Sequence, residues 1–154
     1  MLNVMNHLHH LYQVIWQSRP LMQAAEAAVE RGLEGSGLTV RMRAVLEILA
    51  DGGAATVPEI AQRLEIKRQY VQLMINDTHA AGFTEAVPNP RHQRSKLIAL
   101  TETGQSLIAQ VMQREKELLK RICGDLTDEE LEITLKTMQQ LIARLKSATE
   151  EKAP

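Results

Sequence analysis

A mainly α-helical fold carrying one small β-hairpin is what the sequence predicts, and three observations predict it. Apolar residues recur at three- and four-residue steps through most of the 154 residues, which is the helical period. Strand-like runs occur together, at Phe83–Val87 and Lys96–Leu100, on either side of a tip containing Pro, Arg and His. Two short helical patterns joined by a tight turn come just before them. That order is a winged helix-turn-helix, here with helices on both flanks.

Residues 2–34 read as helical, with Leu8, Leu11, Ile15 and then Leu21, Ala24, Ala25 and Ala28 on a repeating face. Pro20 interrupts the pattern. Proline removes an N–H and crowds the preceding turn, so either one long helix kinks near Trp16 or a second helix starts with Ser18 as its cap. Thr39 can cap a helix over Val40–Ala50 whose inner stripe is Met42, Val45, Leu46 and Leu49, and Asp51-Gly52-Gly53 closes it. Arg41 and Arg43 project elsewhere, to solvent or an interface.

Thr56 and Glu59 have the spacing of a capping box, and Pro58 fits a first helical turn, so a helix starts near Val57. Ile60, Ala61 and Leu64 form its inner face, and Glu65 and Ile66 make the turn. The next helix spans about Lys67 to Ala81. Val71, Met74, Ile75 and Thr78 define its buried side, and Gly82 supplies a left-handed stop. Its other face carries Arg68, Gln69, Gln72, Asn76 and His79, with Lys67 and Tyr70 near its start. Arg, Asn and Gln present paired donors and acceptors that match guanine and adenine edges, while Lys and Tyr reach phosphate. The same residues also suit a solvated helix face.

The hairpin favours the first reading. Pro88-Asn89-Pro90 stops the first strand, and the tip that follows, Arg91, His92, Gln93 and Arg94, has two arginines and no carboxylate. Such a tip suits the negative potential of the minor groove. After it, Thr101 starts a long helix through about Cys123 that ends at Gly124. Thr127 and Glu130 form a second capping box, and Leu131, Leu135, Met138, Ile142 and Leu145 make a regular seam that wants a partner helix.

The spacing of Leu38-Thr39, of Ile60-Ala61-x-x-Leu64, of the Gly82 stop, and of the wing from Arg94 to Leu100-Thr101-x-x-Gly104 resembles the MarR family of bacterial transcriptional regulators. The resemblance spans nearly the whole chain, with residues 38–104 as the DNA-binding unit and residues 1–37 and 105–148 as helical dimerisation regions of one domain. It implies a homodimeric repressor that reads a pseudo-palindromic operator in double-stranded DNA and responds to a small aromatic or phenolic effector. The residues it assigns to DNA are Lys67, Arg68, Gln69, Tyr70, Gln72, Asn76, Arg91, His92, Gln93 and Arg94. Three positions depart from the family pattern. Glu65 stands where Gly is usual, Lys67 replaces a capping Ser, Thr or Asp, and His92 replaces the Asp that would pair with Arg94.

Composition bounds the rest. Aromatic residues make up only 3%, so aliphatic and Met side chains must fill the core. The net charge of −1 is unevenly spread: residues 63–96 hold six Lys and Arg against three acids, for +3, while the segments on either side are each −2. The basic excess falls where the motif would meet DNA. No apolar run reaches the ~18 residues a membrane span needs, and the first residues lack the features of a signal peptide. With a single cysteine, Cys123, the expected compartment is the cytoplasm. No cofactor, metal or catalytic motif is expected, since P-loop, metalloprotease and nucleophile-elbow patterns are missing. His7, His9 and His10 lack a partner to complete a metal-ligand set. A winged-helix protein-interaction module without specific DNA binding is the competing reading.

Overall fold

The computed structural model describes residues 2–150. Along the chain come α1 (Leu2–Leu33), α2 (Val40–Gly52), α3 (Val57–Leu64), α4 (Arg68–Ala80), β1 (Thr84–Val87), β2 (Leu97–Leu100), α5 (Glu102–Cys123) and α6 (Asp128–Glu150). The elements form two compact units, one over residues 25–117 and one made of the chain ends, up to residue 24 and from residue 118.

The larger unit holds the winged helix-turn-helix. One apolar cluster joins α2, α3, α4 and β2 through Val45, Leu49, Ile60, Ala61, Val71, Met74, Ile75 and Ile98. Val45, Ile60 and Val71 are fully buried, and burying such a side chain contributes about 1.5–3 kcal/mol. A second cluster, Leu33, Leu38, Leu46, Ile108 and Val111, seats the end of α1 and the first half of α5. Leu100 packs against both. The strands pair antiparallel, with Thr84 opposite Leu100 and Val87 opposite Leu97. On its other edge β2 exchanges two backbone hydrogen bonds with Ala55, at 2.8 and 3.1 Å. The hairpin is thus tied to the residue just before the α3 cap.

That cap is the expected box. The Thr56 hydroxyl accepts from the Glu59 N–H, and the Glu59 carboxylate accepts from the Thr56 N–H at 2.7 Å. This bond from the Thr56 main chain, then one from its hydroxyl, holds the Glu59 carboxyl below the usual carboxylate range, with smaller help from the charges of Arg63 and Arg91. Both helices of the motif end the same way. Ile66 N–H donates to Ala61 C=O and Glu65 N–H to Gln62 C=O, while Phe83 N–H donates to Thr78 C=O and Gly82 N–H to His79 C=O. Each is a Schellman motif with one left-handed residue. At the second that residue is Gly82, with φ 78°; at the first it is Glu65, with φ 54°.

The start of α5 explains the Leu-Thr-x-x-Gly spacing. Thr101 N–H donates to Phe83 C=O at 3.0 Å, its hydroxyl donates to Gly82 C=O at 2.7 Å, and that hydroxyl accepts from Gly104 N–H at 3.1 Å. A Cβ on Gly104 would fall 2.0 Å from the Phe83 carbonyl oxygen. Only glycine fits there.

One alternative is selected and one expectation is corrected. Of the two readings at Pro20 the single long helix holds, and Ser18 does not cap a second one, since its hydroxyl donates to the Ile15 carbonyl at 2.6 Å inside α1. Proline forgoes one backbone bond, but α1 continues on both sides with good helix formers such as Leu, Met, Gln and Ala. Arg43 is not a solvated arginine. It is mostly buried and pairs with Glu115 of α5 and Glu47 of α2. The hydrogen bond to Glu115 is the largest cause of its raised pKa.

In the unit of chain ends, α1 and α6 share an apolar cleft of about 140 Å³ lined by Val14, Ile15, Met138, Leu141, Ile142 and Leu145. α6 has the expected second box, with Glu130 N–H donating to the Thr127 hydroxyl and Thr127 N–H to the Glu130 carboxylate. It buries no residue. No helix among the described residues is long and apolar enough to cross a membrane.

Two substitutions test these local constraints. Gly104→Ala is expected to lower unfolding free energy in urea by about 2–3 kcal/mol, in the range of overpacking against fixed backbone. Gly82→Ala should lower it by about 1–2 kcal/mol, because Gly82 holds φ 78°, a left-handed conformation that costs an L residue ~1–2 kcal/mol.

Candidate nucleic-acid interface

α4 buries Val71, Met74, Ile75 and Thr78, which turns the opposite side to solvent. Lys67, Arg68, Gln69, Tyr70, Gln72 and Asn76 are all exposed. Lys67 stands at the N-cap with extended backbone and makes no side-chain capping bond, as its side chain has no acceptor to offer. The Gln72 side-chain amide donates to Asn76 Oδ1 at 3.0 Å, so two candidate reading amides, one turn apart, hold each other in plane. Together these residues make one face of donors and acceptors with a cationic start.

His79, on the same helix, is occupied differently. Its Nδ1 lies 3.0 Å from the Thr84 carbonyl. A carbonyl only accepts, so Nδ1 carries a proton and donates it there. Thr84 is held a second time. The Thr78 hydroxyl donates to Ile75 C=O at 2.9 Å, so its one proton is used, and the 2.8 Å contact between the two threonine hydroxyls is a donation from Thr84 to Thr78. Both threonines are buried. The end of the recognition helix and the first strand of the wing are therefore locked together by polar bonds inside an apolar core.

The wing tip turns twice. Asn89 C=O accepts from His92 N–H at 3.3 Å, and His92 C=O accepts from Ser95 N–H at 3.3 Å. Asn89 Oδ1 also accepts from Arg91 N–H at 3.0 Å. Arg91, His92, Gln93 and Arg94 are all exposed. Helix face and wing tip belong to one unit, so the ten residues singled out by the sequence are all exposed on it. Sequence reasoning passed over Thr78, Thr84 and Asn89 as parts of this site. For Asn89 a signal existed, since Asn before Pro favours turns. For the threonine pair none did, because the contact depends on how the chain folds back after Gly82.

An exposed polar helix packed on a second short helix, with a basic hairpin following it, defines a winged helix-turn-helix DNA-binding protein. The comparisons with known proteins make the class narrower. Residues 36–95 match the model of the MarR family. The solved MarR family transcription regulator SP03579 is 32% identical, with a TM-score of 0.82 over 96% of this chain and 97% of that one. The HTH-type transcriptional repressor MdtR of Bacillus subtilis is 28% identical over 72% of each protein. Streptococcus pneumoniae FabT, solved in complex with DNA, shares the fold at 18% identity, with a TM-score of 0.74 over 89% of this chain and 99% of that one. The chain belongs to the MarR family of transcriptional regulators.

The threonine lock has a directional test. Thr78→Val leaves the Thr84 hydroxyl buried without its acceptor and should cost about 2 kcal/mol, whereas Thr84→Val removes only a donor and should cost about 1 kcal/mol. Urea denaturation of both variants measures the order, which reverses if Thr78 is the donor.

Proposed function

We propose that the protein is a ligand-responsive repressor that binds a pseudo-palindromic operator as a homodimer. The observation that carries this reading is the exposure, on one unit, of a recognition face rich in Arg, Gln and Asn together with a two-arginine wing tip free of carboxylates. Lys67, Arg68, Gln69, Tyr70, Gln72 and Asn76 enter the major groove or meet its phosphates. Arg91, His92, Gln93 and Arg94 lie along the adjacent minor groove, where narrow A·T-rich stretches attract arginine. FabT, caught on DNA, and MdtR, a repressor, support the partner and the direction of control.

A dimer is supported by the unit of chain ends. Val4, Met5, Leu8, Tyr12, Trp16, Leu131, Ile133, Leu135, Ile142 and Leu145 are each about half exposed or more. Apolar surface of that extent marks an interaction site. A second copy of the same helices is its natural cover, and two-fold symmetry then sets two recognition helices about 34–36 Å apart, one turn of DNA. A small aromatic or phenolic effector, the class implied by the family resemblance, acts by binding two spacings of the reading heads unequally. A coupling of ~1–3 kcal/mol changes operator affinity by about 5–150-fold.

Fluorescence anisotropy against the DNA upstream of the protein's own gene and a scrambled duplex tests the reading. Preference for the first by about 10³ or more is expected, with log affinity falling against log salt by ~0.9 per phosphate neutralised. The double variant Arg91→Ala, Arg94→Ala should keep its dimer on size-exclusion, lose about tenfold or more in affinity, and show a shallower salt slope. An intact dimer with no change in affinity for either duplex would favour the protein-interaction module.

A further inference from the structure

We propose that Asn89 is a positioning residue for the wing arginines, taking the place of the Asp–Arg pair that His92 removes. The inference rests on the DNA-binding reading above and adds how the wing is aimed.

Consider what holds the tip. Among the described residues neither Arg91 nor Arg94 is in an ion pair, so no contact with a carboxylate fixes either guanidinium, although the Arg91 charge acts on Glu59 from a distance. The main chain orients them instead. Asn89–His92 and His92–Ser95 are consecutive turns closed by bonds of the same kind and length, 3.3 Å each. Arg91 is the third residue of the first turn and Arg94 the third residue of the second. The two arginines therefore occupy equivalent places, and whatever fixes the first turn fixes the starting point of the second.

Asn89 fixes the first turn from both its groups. Its main-chain carbonyl closes the turn and its side-chain Oδ1 binds the Arg91 N–H at 3.0 Å, an Asx turn laid over a β-turn. Pro90 presets the backbone at the second turn position, and it also holds Asn89 extended, the conformation this arrangement needs. Burial agrees with that role. Asn89 is half-buried while Pro88, Pro90 and all four tip residues are exposed. Its side-chain oxygen is spent on the backbone of the arginine, 3.0 Å away.

The functional consequence is pre-organisation. A tip that already has its arginines placed loses less conformational freedom when it meets DNA, and that loss otherwise subtracts from affinity. One hydrogen bond of this kind changes an equilibrium by ~0.5–1.5 kcal/mol, or about 2–10-fold.

Two measurements on the full chain decide it. In the first, Asn89→Ala should weaken operator binding by about 2–10-fold with thermal unfolding unchanged, Asn89→Ser should recover most of the loss because its hydroxyl can accept the same bond, and Asn89→Ala should cost nothing further once Arg91 and Arg94 are already alanine. In the second, made without DNA, trypsin should cut after Arg91 and Arg94 several-fold faster in Asn89→Ala than in the parent, since a looser tip is a better protease substrate. Equal cleavage rates, or the same loss of affinity with and without the arginines, overturns the proposal. A parent protein that binds no duplex selectively, while its cleavage still depends on Asn89, overturns the DNA-binding reading and leaves Asn89 as the organiser of the tip.

Discussion

The fold turns on a close approach at the start of α5. Gly104 has no side chain, so α5 sits against the Phe83 carbonyl, and Thr101 ties the Gly82 and Phe83 carbonyls to that helix start. Three elements meet there: the end of the recognition helix, the beginning of the wing and the first turn of α5. Because the bonds run through backbone groups on all three, none can shift without breaking a neighbour's hydrogen bond. The buried Thr78–Thr84 pair acts one step upstream in the same sense. The junction thereby fixes the mutual geometry of helix and wing, which the proposed contact with two different grooves would require.

The opposite end of the recognition helix is built with less local support. Glu65 takes the left-handed position usually given to glycine, and Lys67 stands at the N-cap without a capping bond. Each feature costs roughly 1 kcal/mol. The cost is met by packing, since Val71, Met74 and Ile75 of α4 bury against Ile60 and Ala61 of α3 and Val45 and Leu49 of α2. The helix-turn-helix is thus held by its apolar core and its C-terminal end, while the end that carries Lys67, Arg68 and Gln69 has only weak local constraints of its own.

What the sequence revealed follows from how local each cause is. The Thr56–Glu59 and Thr127–Glu130 boxes, the Gly82 stop and the buried stripe of α4 involve residues within one or two helical turns, and each was legible. The strands were legible to within a residue, because proline on one side and Thr101 on the other bound them. The Arg43–Glu115 pair was not legible: its partners are 72 residues apart, and nothing near Arg43 distinguishes it from Arg41. Pro20 left two readings open, one long helix or two, and the single helix is the one found. Its local penalty is real, but proline costs a long helix one bond and need not end it. The candidate DNA residues of α4 were legible as exposed positions, since a helix that buries one stripe must expose the other, and the four at the tip because they lie between two strands; the backbone turns that place Arg91 and Arg94 depend on Asn89, a residue whose type suggests a turn without saying which.

The two units differ in what stabilises them. Residues 25–117 close two apolar clusters among their own elements, and among the described residues no buried side-chain polar atom lacks a partner. α6, by contrast, buries no residue although it carries a regular apolar seam. A stripe that stays half exposed gains little from folding alone, because the hydrophobic contribution scales with the area removed from water. Under the dimeric reading the missing area comes from a second chain, so the stability of these helices depends on protomer concentration while that of the winged unit does not. The same dependence makes the spacing of the two reading heads a property of the assembled pair. Under the same reading it is the quantity that the proposed effector would alter, leaving the chemistry of each exposed helix face and wing tip untouched.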